Sequence, residues 1–251
     1  MTCRIFPDAT ILGRNAADDA AARLGSILAE VPTARLLLST GASQFPFFEA
    51  LRTCPLPWDR IEVFHLDEYV GLPPTHPASF RRYLHDRLVD AVRPLAFHEV
   101  QGDRDPAVEI RRLSELVLER PMDVALVGIG ENAHIAFNDP PADFDAPDPF
   151  LLVTLDDACR RQQVGEGWFP DLASVPRQAV TMSVRQILRS RAILSVVPHA
   201  VKAGAIRRTL SAPEPTPDIP ATALLAHPDW TLYLDEASAG GLDPARRARC
   251  S

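Results

Sequence analysis

Short apolar segments alternate with longer amphipathic segments along the chain. The segment 16–31 carries apolar residues three or four positions apart, namely Ala21, Leu24, Ile27, Leu28 and Val31. This spacing places them on one face of a helix. The next apolar segment, residues 34–38, ends in three consecutive leucines, which is typical of a strand buried on both faces. Such alternation predicts βαβ units, so we expect a three-layer α/β fold in which helices cover both faces of a mainly parallel sheet.

The remaining elements continue this pattern. Further strands are predicted at residues 61–66, 122–127, 151–155, 179–182, 192–197 and 230–234, and further helices at 79–92, 106–119 and 199–210. Ser79 is a favourable N-cap for the helix that follows it. The segment 211–220 contains four prolines and is predicted to be a loop, because a last strand must still follow it. We therefore expect residues 1–251 to form a single domain.

Composition and charge narrow the class of protein. The 251 residues are 46% hydrophobic and 24% charged, which is ordinary for a globular domain and excludes disorder as the main state. The formal net charge is -7, and the longest basic cluster is Arg246, Arg247 and Arg249, so we expect no nucleic-acid partner. Asp, Glu, Arg or Pro interrupts each apolar stretch before it is long enough to cross a bilayer, so no membrane partner is expected.

The N-terminal segment and the cysteines predict a cytoplasmic protein without cross-links. Residues 1–13 contain one arginine and lack the apolar core that a secretory signal needs. Cys3, Cys54, Cys159 and Cys250 form no CxxC pair and have no histidine partner nearby in sequence, so we expect neither a zinc site nor disulfides. An acidic α/β chain of this kind is compatible with a monomer or a homo-oligomer.

Ligands of open parallel sheets bind at the carboxyl ends of the strands, so the loops that follow predicted strands are candidate sites. The first such loop is Ser39-Thr40-Gly41-Ala42-Ser43, which is followed by a predicted helix. Backbone N–H groups and hydroxyls at such a turn hold anions such as phosphate. A tight turn that needs glycine for its backbone angles would explain the same residues without a ligand.

The second loop contains two adjacent carboxylates. Asp67 and Glu68 follow a strand that is predicted to be buried, where a carboxylate is costly unless it is paired or used. His65 and Asp67 share one side of the strand, which would allow a metal pair, but no third ligand follows at a useful spacing. Solvation of both acids at the strand end is the alternative.

The third loop, residues 128–140, combines glycines with a histidine and acids. Gly128 and Gly130 allow the backbone to approach a ligand closely, while His134 and Asp139 offer a base and a carboxylate to orient it. An isolated surface histidine is the alternative interpretation. The position of His134 after a strand that ends in Gly-x-Gly, beside Asn132, favours a functional role.

Two segments closely resemble a known enzyme family. LDEYVGLPPTHPASF (residues 66–80) and GIGENAHIAFNDP (residues 128–140) are similar to glucosamine-6-phosphate deaminase, also called glucosamine-6-phosphate isomerase. The loop at residues 39–43 and VKAGAIRRTL (residues 201–210) fit the same family in order and spacing. The resemblance extends from about residue 35 to residue 235 and implies a Rossmann-like fold of the sugar-phosphate isomerase type.

The resemblance implies an enzyme of amino sugar catabolism that needs no cofactor and no metal. Its substrate would be an amino sugar 6-phosphate, which is opened from its ring form, isomerised and released as a ketose 6-phosphate and ammonia. In reaction class we expect a hydrolase that is also an isomerase. Asp67 matches the general base that moves a proton from C2 to C1, and His134 matches the ring-opening histidine. Asp139 stands where the family usually has Glu and would orient His134, while Asn132 would assist by hydrogen bonding.

The same resemblance implies a phosphate site. It consists of Thr40, Gly41, Ala42 and Ser43, with Lys202 as a point charge.

A departure from the family lies in a lid-like segment at about residues 156–176. The family carries there an arginine followed by two aromatic residues, and the arginine helps to hold the phosphate. Here Gly167 precedes the two aromatic residues, so Arg160, Arg161 or Arg208 would have to substitute. This departure leaves the sugar open between glucosamine 6-phosphate and a close analogue.

Two other functions compete with this interpretation. A 6-phosphogluconolactonase shares the fold, the Asp-Glu strand end and the glycine-histidine loop, but its histidine is normally followed by Thr-Ala-Ser-Leu-Phe. Residues 135–139 are Ile-Ala-Phe-Asn-Asp here, and Tyr-Val-Gly-Leu at residues 69–72 also favours the deaminase. A non-catalytic sugar-phosphate sensor would need neither Asp67 nor His134, and the sequence shows no DNA-binding helix-turn-helix or basic face.

Overall fold

A sheet of seven strands forms the centre of the protein, whose computed structural model describes residues 1–250 apart from the side chain of Ala158. The strands of this sheet and of a smaller second sheet are, in chain order, β1 (Thr2–Phe6), β2 (Ala34–Leu38), β3 (Ile61–His65), β4 (Asp67–Tyr69), β5 (Ala96–His98), β6 (Val124–Leu126), β7 (Phe150–Thr154), β8 (Gln178–Met182), β9 (Ala192–Val197) and β10 (Trp230–Asp235). The helices are α1 (Ala9–Glu30), α2 (Phe45–Leu51), α3 (Phe80–Leu84), α4 (Asp90–Val92), α5 (Pro106–Glu119), α6 (Asp157–Gly165), α7 (Val184–Ile187), α8 (Ala203–Ser211) and α9 (Pro244–Arg247). A π-helical turn, His85–Val89, joins α3 to α4.

The main sheet is parallel and has the strand order β1-β10-β9-β6-β2-β3-β5. All residues of β2 and β9 are buried, as strands between two helical layers require. Leu36 and Leu38 pack into the core that includes α1 and α2, whereas Leu37 packs into the core that includes α5, α7 and α8. Successive side chains of one strand therefore serve opposite faces of the sheet. The predicted three-layer α/β fold is confirmed.

Most predicted elements lie close to the observed ones, and α5 and β9 have the predicted bounds. The helix predicted at residues 16–31 begins earlier, at Ala9, because the Asp8 carboxylate caps it by accepting a hydrogen bond from Ile11 N–H (2.8 Å). The sequence did not predict β1 and β5. Both are partly exposed edge strands, so they lack the continuous apolar run that marks the inner strands.

A second, antiparallel sheet has the strand order β4-β8-β7. Strands were predicted near β7 and β8, but nothing in the sequence separated them from the parallel sheet. Leu66 connects the two sheets: its N–H donates to Leu38 O of the main sheet (3.2 Å), and its carbonyl accepts from Met182 N–H (3.0 Å). The chain therefore leaves the main sheet after His65, one residue earlier than predicted, and places Asp67 where the two sheets meet.

The prediction that the cysteines are not cross-linked is wrong. Cys3 in β1 and Cys250 after α9 form a disulfide, with their Cα atoms 4.5 Å apart. The two residues are separated by 247 positions, so no local spacing reveals the pair. The described cysteines outside this pair, Cys54 and Cys159, are free.

Two further expectations concern the chain as a whole. Within residues 1–250, no helix has the length and apolarity to span a membrane. The expected single domain includes Ser251, which lies outside the described residues.

Candidate active site

A cavity of about 220 Å³ opens at the carboxyl end of the main sheet. Its walls come from the loops after β2, β3, β6 and β9, together with part of the segment 156–176. The three loops that the sequence singled out therefore meet in one place, as expected for an open parallel sheet. Most predicted site residues line this cavity, namely Thr40, Gly41, Ala42, Ser43, Asp67, His134 and Lys202. The remaining two, Asn132 and Asp139, contact His134.

The turn after β2 is held firmly at the cavity wall. Gly41 has a φ of 117°, in the region that favours glycine, and its carbonyl accepts a hydrogen bond from the Tyr83 hydroxyl (2.9 Å). Gln44 donates from Nε2 to Ser43 Oγ (3.0 Å) and to Val196 O in β9 (2.9 Å). The turn thus has a defined geometry before any ligand binds.

Asp67 and Glu68 lie on opposite faces of β4 and have different environments. The Glu68 carboxylate is fully buried and accepts hydrogen bonds from Ser79 Oγ (2.8 Å), Arg81 N–H (2.9 Å) and Tyr69 N–H (3.0 Å). Asp67 lines the cavity instead. Burial, followed by the neighbouring Glu68 charge, raises the pKa of Asp67 to about 8. Asp67 is therefore the carboxyl that can exchange a proton near neutral pH, while Glu68 anchors the start of α3.

The geometry does not support a metal pair at His65 and Asp67. The His65 ring is fully buried, and its Nδ1 accepts a hydrogen bond from Val100 N–H (3.3 Å). Burial, together with the positive charge of Arg81, lowers the pKa of His65 to about 3. Among residues 1–250, no three His, Cys, Asp or Glu side chains converge as a metal site requires.

His134 is held by a carboxylate and an amide. Its Nδ1 lies 3.2 Å from Asp139 Oδ1, without the alignment of a full hydrogen bond, and its backbone N–H donates to Asn132 Oδ1 (3.0 Å). Asn132 also donates from Nδ2 to Asp139 Oδ1 (3.1 Å). Burial would raise the pKa of Asp139, but His134 and Asn132 outweigh this effect and the pKa is lowered. An ionised Asp139 therefore orients the imidazole through Nδ1, which leaves Nε2 as the ring nitrogen for proton exchange.

The backbone around His134 is fitted closely to the imidazole. A Cβ on Gly130 would lie only 2.3 Å from Cε1 and Nε2 of His134. Ala133 has a φ of 72°, and its carbonyl is fixed by a hydrogen bond from Ala221 N–H (2.9 Å). Such strained residues persist where neighbours hold them and are frequent at functional sites.

Lys202 supplies an ammonium group to the same cavity. It lies at the end of the turn Ala200–Lys202 after β9 and is only 9% exposed. Burial lowers its pKa, whereas the charges of Glu166 and Glu131 act in the opposite direction. Both of these acids line the cavity.

The segment 156–176 covers one side of the cavity. It contributes the lining residues Gln162, Gln163, Glu166 and Trp168. Trp168 donates from Nε1 to Glu166 Oε2 (3.1 Å). The Phe169 ring is buried against the Tyr69 ring, with the two centroids 5.6 Å apart.

None of the three candidate arginines is among the described residues that line the cavity. Arg160 pairs with Asp157 (3.0 Å) and donates to Val175 O (3.2 Å), so its guanidinium serves the segment 156–176 itself. Arg208 is not a lining residue, but it donates to the backbone oxygen of Glu131, which is one (3.3 Å). Arg161 is exposed.

Several lining residues received no role from the sequence. Two of them are acids in glycine-rich turns: Glu131 follows Gly130, and Glu166 lies between two glycines. His199 comes one residue after Pro198 at the end of β9, where the rule of strand ends applies again. That rule, applied to every strand, would have found His199.

The fold and the site together define an α/β protein whose cavity brings a carboxyl and an imidazole close to a turn suited to a small anion. Residues 7–233 match the family described as glucosamine-6-phosphate isomerases/6-phosphogluconolactonase, and the chain belongs to this family. The family predicted from the sequence is thereby confirmed.

Individual relatives agree with this assignment. A glucosamine-6-phosphate deaminase from Exiguobacterium sp. is 37% identical over 213 residues, which cover 84% of this chain and 82% of that protein. A solved structure described as a monomeric glucosamine-6-phosphate deaminase has a TM-score of 0.87 at 31% identity and covers 96% of this chain and 100% of its own. A 6-phosphogluconolactonase from Shewanella baltica has a TM-score of 0.77 at 18% identity, and the match covers 94% of this chain and 97% of that one. At this low identity the match shows a shared fold and no more.

The expectation of a hydrolase is wrong. The Exiguobacterium relative and the monomeric structure, each above 30% identity, bear the name deaminase, and the family description begins with isomerases. The hydrolytic lactonase shares little sequence with this chain. The comparisons therefore indicate the class of deaminases and isomerases.

Proposed function

We propose that this protein converts an amino sugar 6-phosphate, glucosamine 6-phosphate or a close analogue, to a ketose 6-phosphate and ammonia. The observation that carries the proposal is that Asp67 and His134 line the same small cavity as the turn at residues 40–43 and Lys202. A proton-transfer pair and an anion site are thus within reach of one ligand. The names of the Exiguobacterium relative and of the monomeric deaminase support the same reaction.

The phosphate binds at the turn after β2. Its backbone N–H groups and the hydroxyls of Thr40 and Ser43 donate to the phosphate oxygens, and Lys202 supplies a positive charge. Gly41, with its φ of 117°, allows the backbone of Ala42 to approach the anion. Because the phosphate does not react, these contacts act through binding rather than through the chemical step.

His134 opens the sugar ring. The imidazole takes the proton from the C1 hydroxyl and gives a proton to the ring oxygen, so the bond between C1 and that oxygen breaks and an aldehyde forms. The number of protons on the enzyme is unchanged at the end of this step. Asp139 stabilises the imidazolium that exists between the two transfers, and Asn132 holds Asp139 in place.

Asp67 carries out the isomerisation. Its carboxylate takes the C2 proton of the aldehyde form and returns it to C1, while one amine proton ends on the C1 oxygen. The product is the imine of a ketose, water then adds to the imine carbon, and ammonia leaves. The pKa of about 8 suits a carboxyl that must both accept and return a proton near neutral pH.

We further propose that the chain acts as one domain, with the segment 156–176 as a lid, in the cytoplasm. A monomer and a homo-oligomer are both compatible with this cavity. The Cys3–Cys250 disulfide of the structure is uncommon in a reducing cytoplasm, where this pair would be held as thiols. Its redox state in protein purified from freshly lysed cells with alkylated thiols tests the location.

The decisive experiment measures ammonia release from a panel of 6-phosphorylated amino sugars. Hydrolysis of 6-phosphogluconolactone is assayed beside it with the same purified protein. Ammonia release that depends on Asp67 and His134 would establish the deaminase, and the preferred sugar would name the substrate. Lactone cleavage without ammonia release would overturn the proposal in favour of a lactonase, and binding without either reaction would overturn it in favour of a sensor.

A further inference from the structure

His199 has a backbone conformation that residues with side chains rarely adopt. Its φ is 81° and its ψ is 142°, close to a region that is essentially restricted to glycine. It lies at the cavity wall, in the loop that leads from β9 into the turn of Lys202. A glycine at this position would be free of the strain, so the presence of a histidine needs a physical reason.

A buried carboxylate holds His199 in this conformation. Both oxygens of Asp235 accept the His199 N–H, at 3.1 Å and 2.9 Å, and Asp235 is only 4% exposed. Ser238 N–H donates to Asp235 Oδ1 (2.7 Å) and fixes the carboxylate. On the other side, Lys202 N–H donates to His199 O (3.0 Å). The surroundings therefore over-determine the strained residue, as is typical where strain serves a function.

The charges of the cavity show what is missing for an anionic substrate. The lining side chains that can carry a negative charge are Asp67, Glu131 and Glu166, and those that can carry a positive charge are His134, His199 and Lys202. His134 pairs with Asp139 and Arg160 pairs with Asp157, while Arg208 lies outside the lining and donates to the backbone oxygen of Glu131. Besides His199, Lys202 is thus the described lining cation that remains for a phosphate, which carries up to two negative charges.

We propose that His199 binds the phosphate group of the substrate together with Lys202, in place of an arginine from the segment 156–176. The inference rests on the proposed function and names a further residue of its anion site. Both donors come from one short, well-anchored turn after β9, and the imidazole adds a hydrogen-bond donor that glycine lacks. The strain at His199 persists because relief by glycine would remove this donor.

Stability and affinity should then move in opposite directions when His199 is replaced. We expect His199→Gly to unfold at a higher temperature than the wild type, because the backbone strain is relieved. The same variant should bind inorganic phosphate about tenfold more weakly in titration calorimetry, as expected when a phosphate loses one charge-assisted donor. Its KM for glucosamine 6-phosphate should rise by a similar factor and by more than kcat falls.

Two further variants make the comparison specific. His199→Asn retains an uncharged donor at the same position, so its phosphate affinity should lie between those of the wild type and His199→Gly. Arg93 follows α4, has a φ of 50° and does not line the cavity. Arg93→Gly is therefore the matched control: it also relieves a left-handed residue, but it should keep the phosphate affinity and the KM of the wild type.

A His199→Gly variant with wild-type phosphate affinity and wild-type KM would overturn the inference, whatever its melting temperature. Equal weakening in Arg93→Gly would also overturn it, because the effect would then not be local to the cavity. The calorimetric titration uses inorganic phosphate and needs no turnover. A wild-type protein that binds phosphate but releases no ammonia would therefore count against the proposed function, while the variants would still decide the role of His199.

Discussion

Asp139 Oδ1 and His134 Nδ1 lie 3.2 Å apart, although the aspartate side chain is one methylene shorter than the glutamate usual in the family. The backbone supplies the missing reach, because the loop from Gly130 folds closely around the imidazole and Asn132 fixes the carboxylate from the side. Catalytic hydrogen bonds are often long in sites without substrate and tighten when it binds. The substitution of Asp for Glu is thus compatible with an intact dyad.

We expect His134→Gln to lower kcat by about 100-fold, the lower end of the contribution that a general acid or base makes. Glutamine has a similar reach but cannot exchange the proton that ring opening requires. Asp139→Asn should also lower kcat, since it keeps the shape of the side chain and removes the charge that stabilises the imidazolium. Steady-state ammonia release measures both variants, and wild-type kcat in both would show that these roles are wrongly assigned.

Asp67→Asn should abolish ammonia release, with a loss of about 100-fold or more in kcat, because the amide cannot accept the C2 proton. Binding of the sugar phosphate should stay measurable by calorimetry. In the wild type only ionised Asp67 can act as the base, so kcat/KM should rise with pH until about pH 8. A flat profile between pH 6 and pH 9 would contradict the assignment of Asp67 as the base.

The raised pKa of Asp67 also makes a prediction about stability. Between the pKa of an unfolded aspartate, near 4, and the folded value of about 8, the native state retains a proton that the unfolded state has lost. The contribution of this carboxyl to the free energy of unfolding is therefore fully present below about pH 4, and it is lost as the pH rises to about 8. Relative to Asp67→Asn, the wild type should lose at most about 1.4 kcal/mol per pH unit in this window. Urea unfolding at several pH values tests it; a difference between the two proteins that does not change with pH would contradict the burial of this carboxyl.

Gly130→Ala should lower kcat by about tenfold or more while the protein stays folded, because the new methyl group would overlap the His134 ring and displace it. Gly25→Ala is the control, since a Cβ at this position of α1 meets nothing within 4 Å. The control should keep wild-type kcat and gain slightly in stability, as helix propensity predicts. Equal kinetics in both variants would mean that the position of the ring does not matter for turnover.

Lys202→Ala should raise KM more than it lowers kcat, because the ammonium binds a group that does not react. The loss of one charge-assisted contact corresponds to an increase in KM of about tenfold. Burial lowers the pKa of Lys202, so this ammonium loses its charge at a lower pH than an exposed lysine does. The affinity of the wild type for phosphate should therefore begin to fall at a correspondingly lower alkaline pH. An unchanged KM in the variant would remove Lys202 from the anion site.

Local patterns were sufficient for much of the fold and for the main site residues. The segments 34–38, 106–119 and 192–197 could be assigned because their apolar periodicity is a property of neighbouring residues. The loops with Gly41, Asp67 and His134 could be placed together because strand ends of a parallel sheet share one edge. The resemblance of the motifs then gave each of these residues an expected role.

Contacts between distant segments were decided only by the tertiary structure. Leu66 joins two sheets. As a result Asp67 lines the cavity, whereas the Glu68 carboxylate is buried and accepts hydrogen bonds. Cys3 meets Cys250 because both ends of the chain return to one edge of the sheet. His199 acquires its strained conformation from Asp235, which belongs to the next strand. Periodicity and spacing describe residues that are close in sequence, whereas burial, pKa and strain depend on which distant residues pack around them.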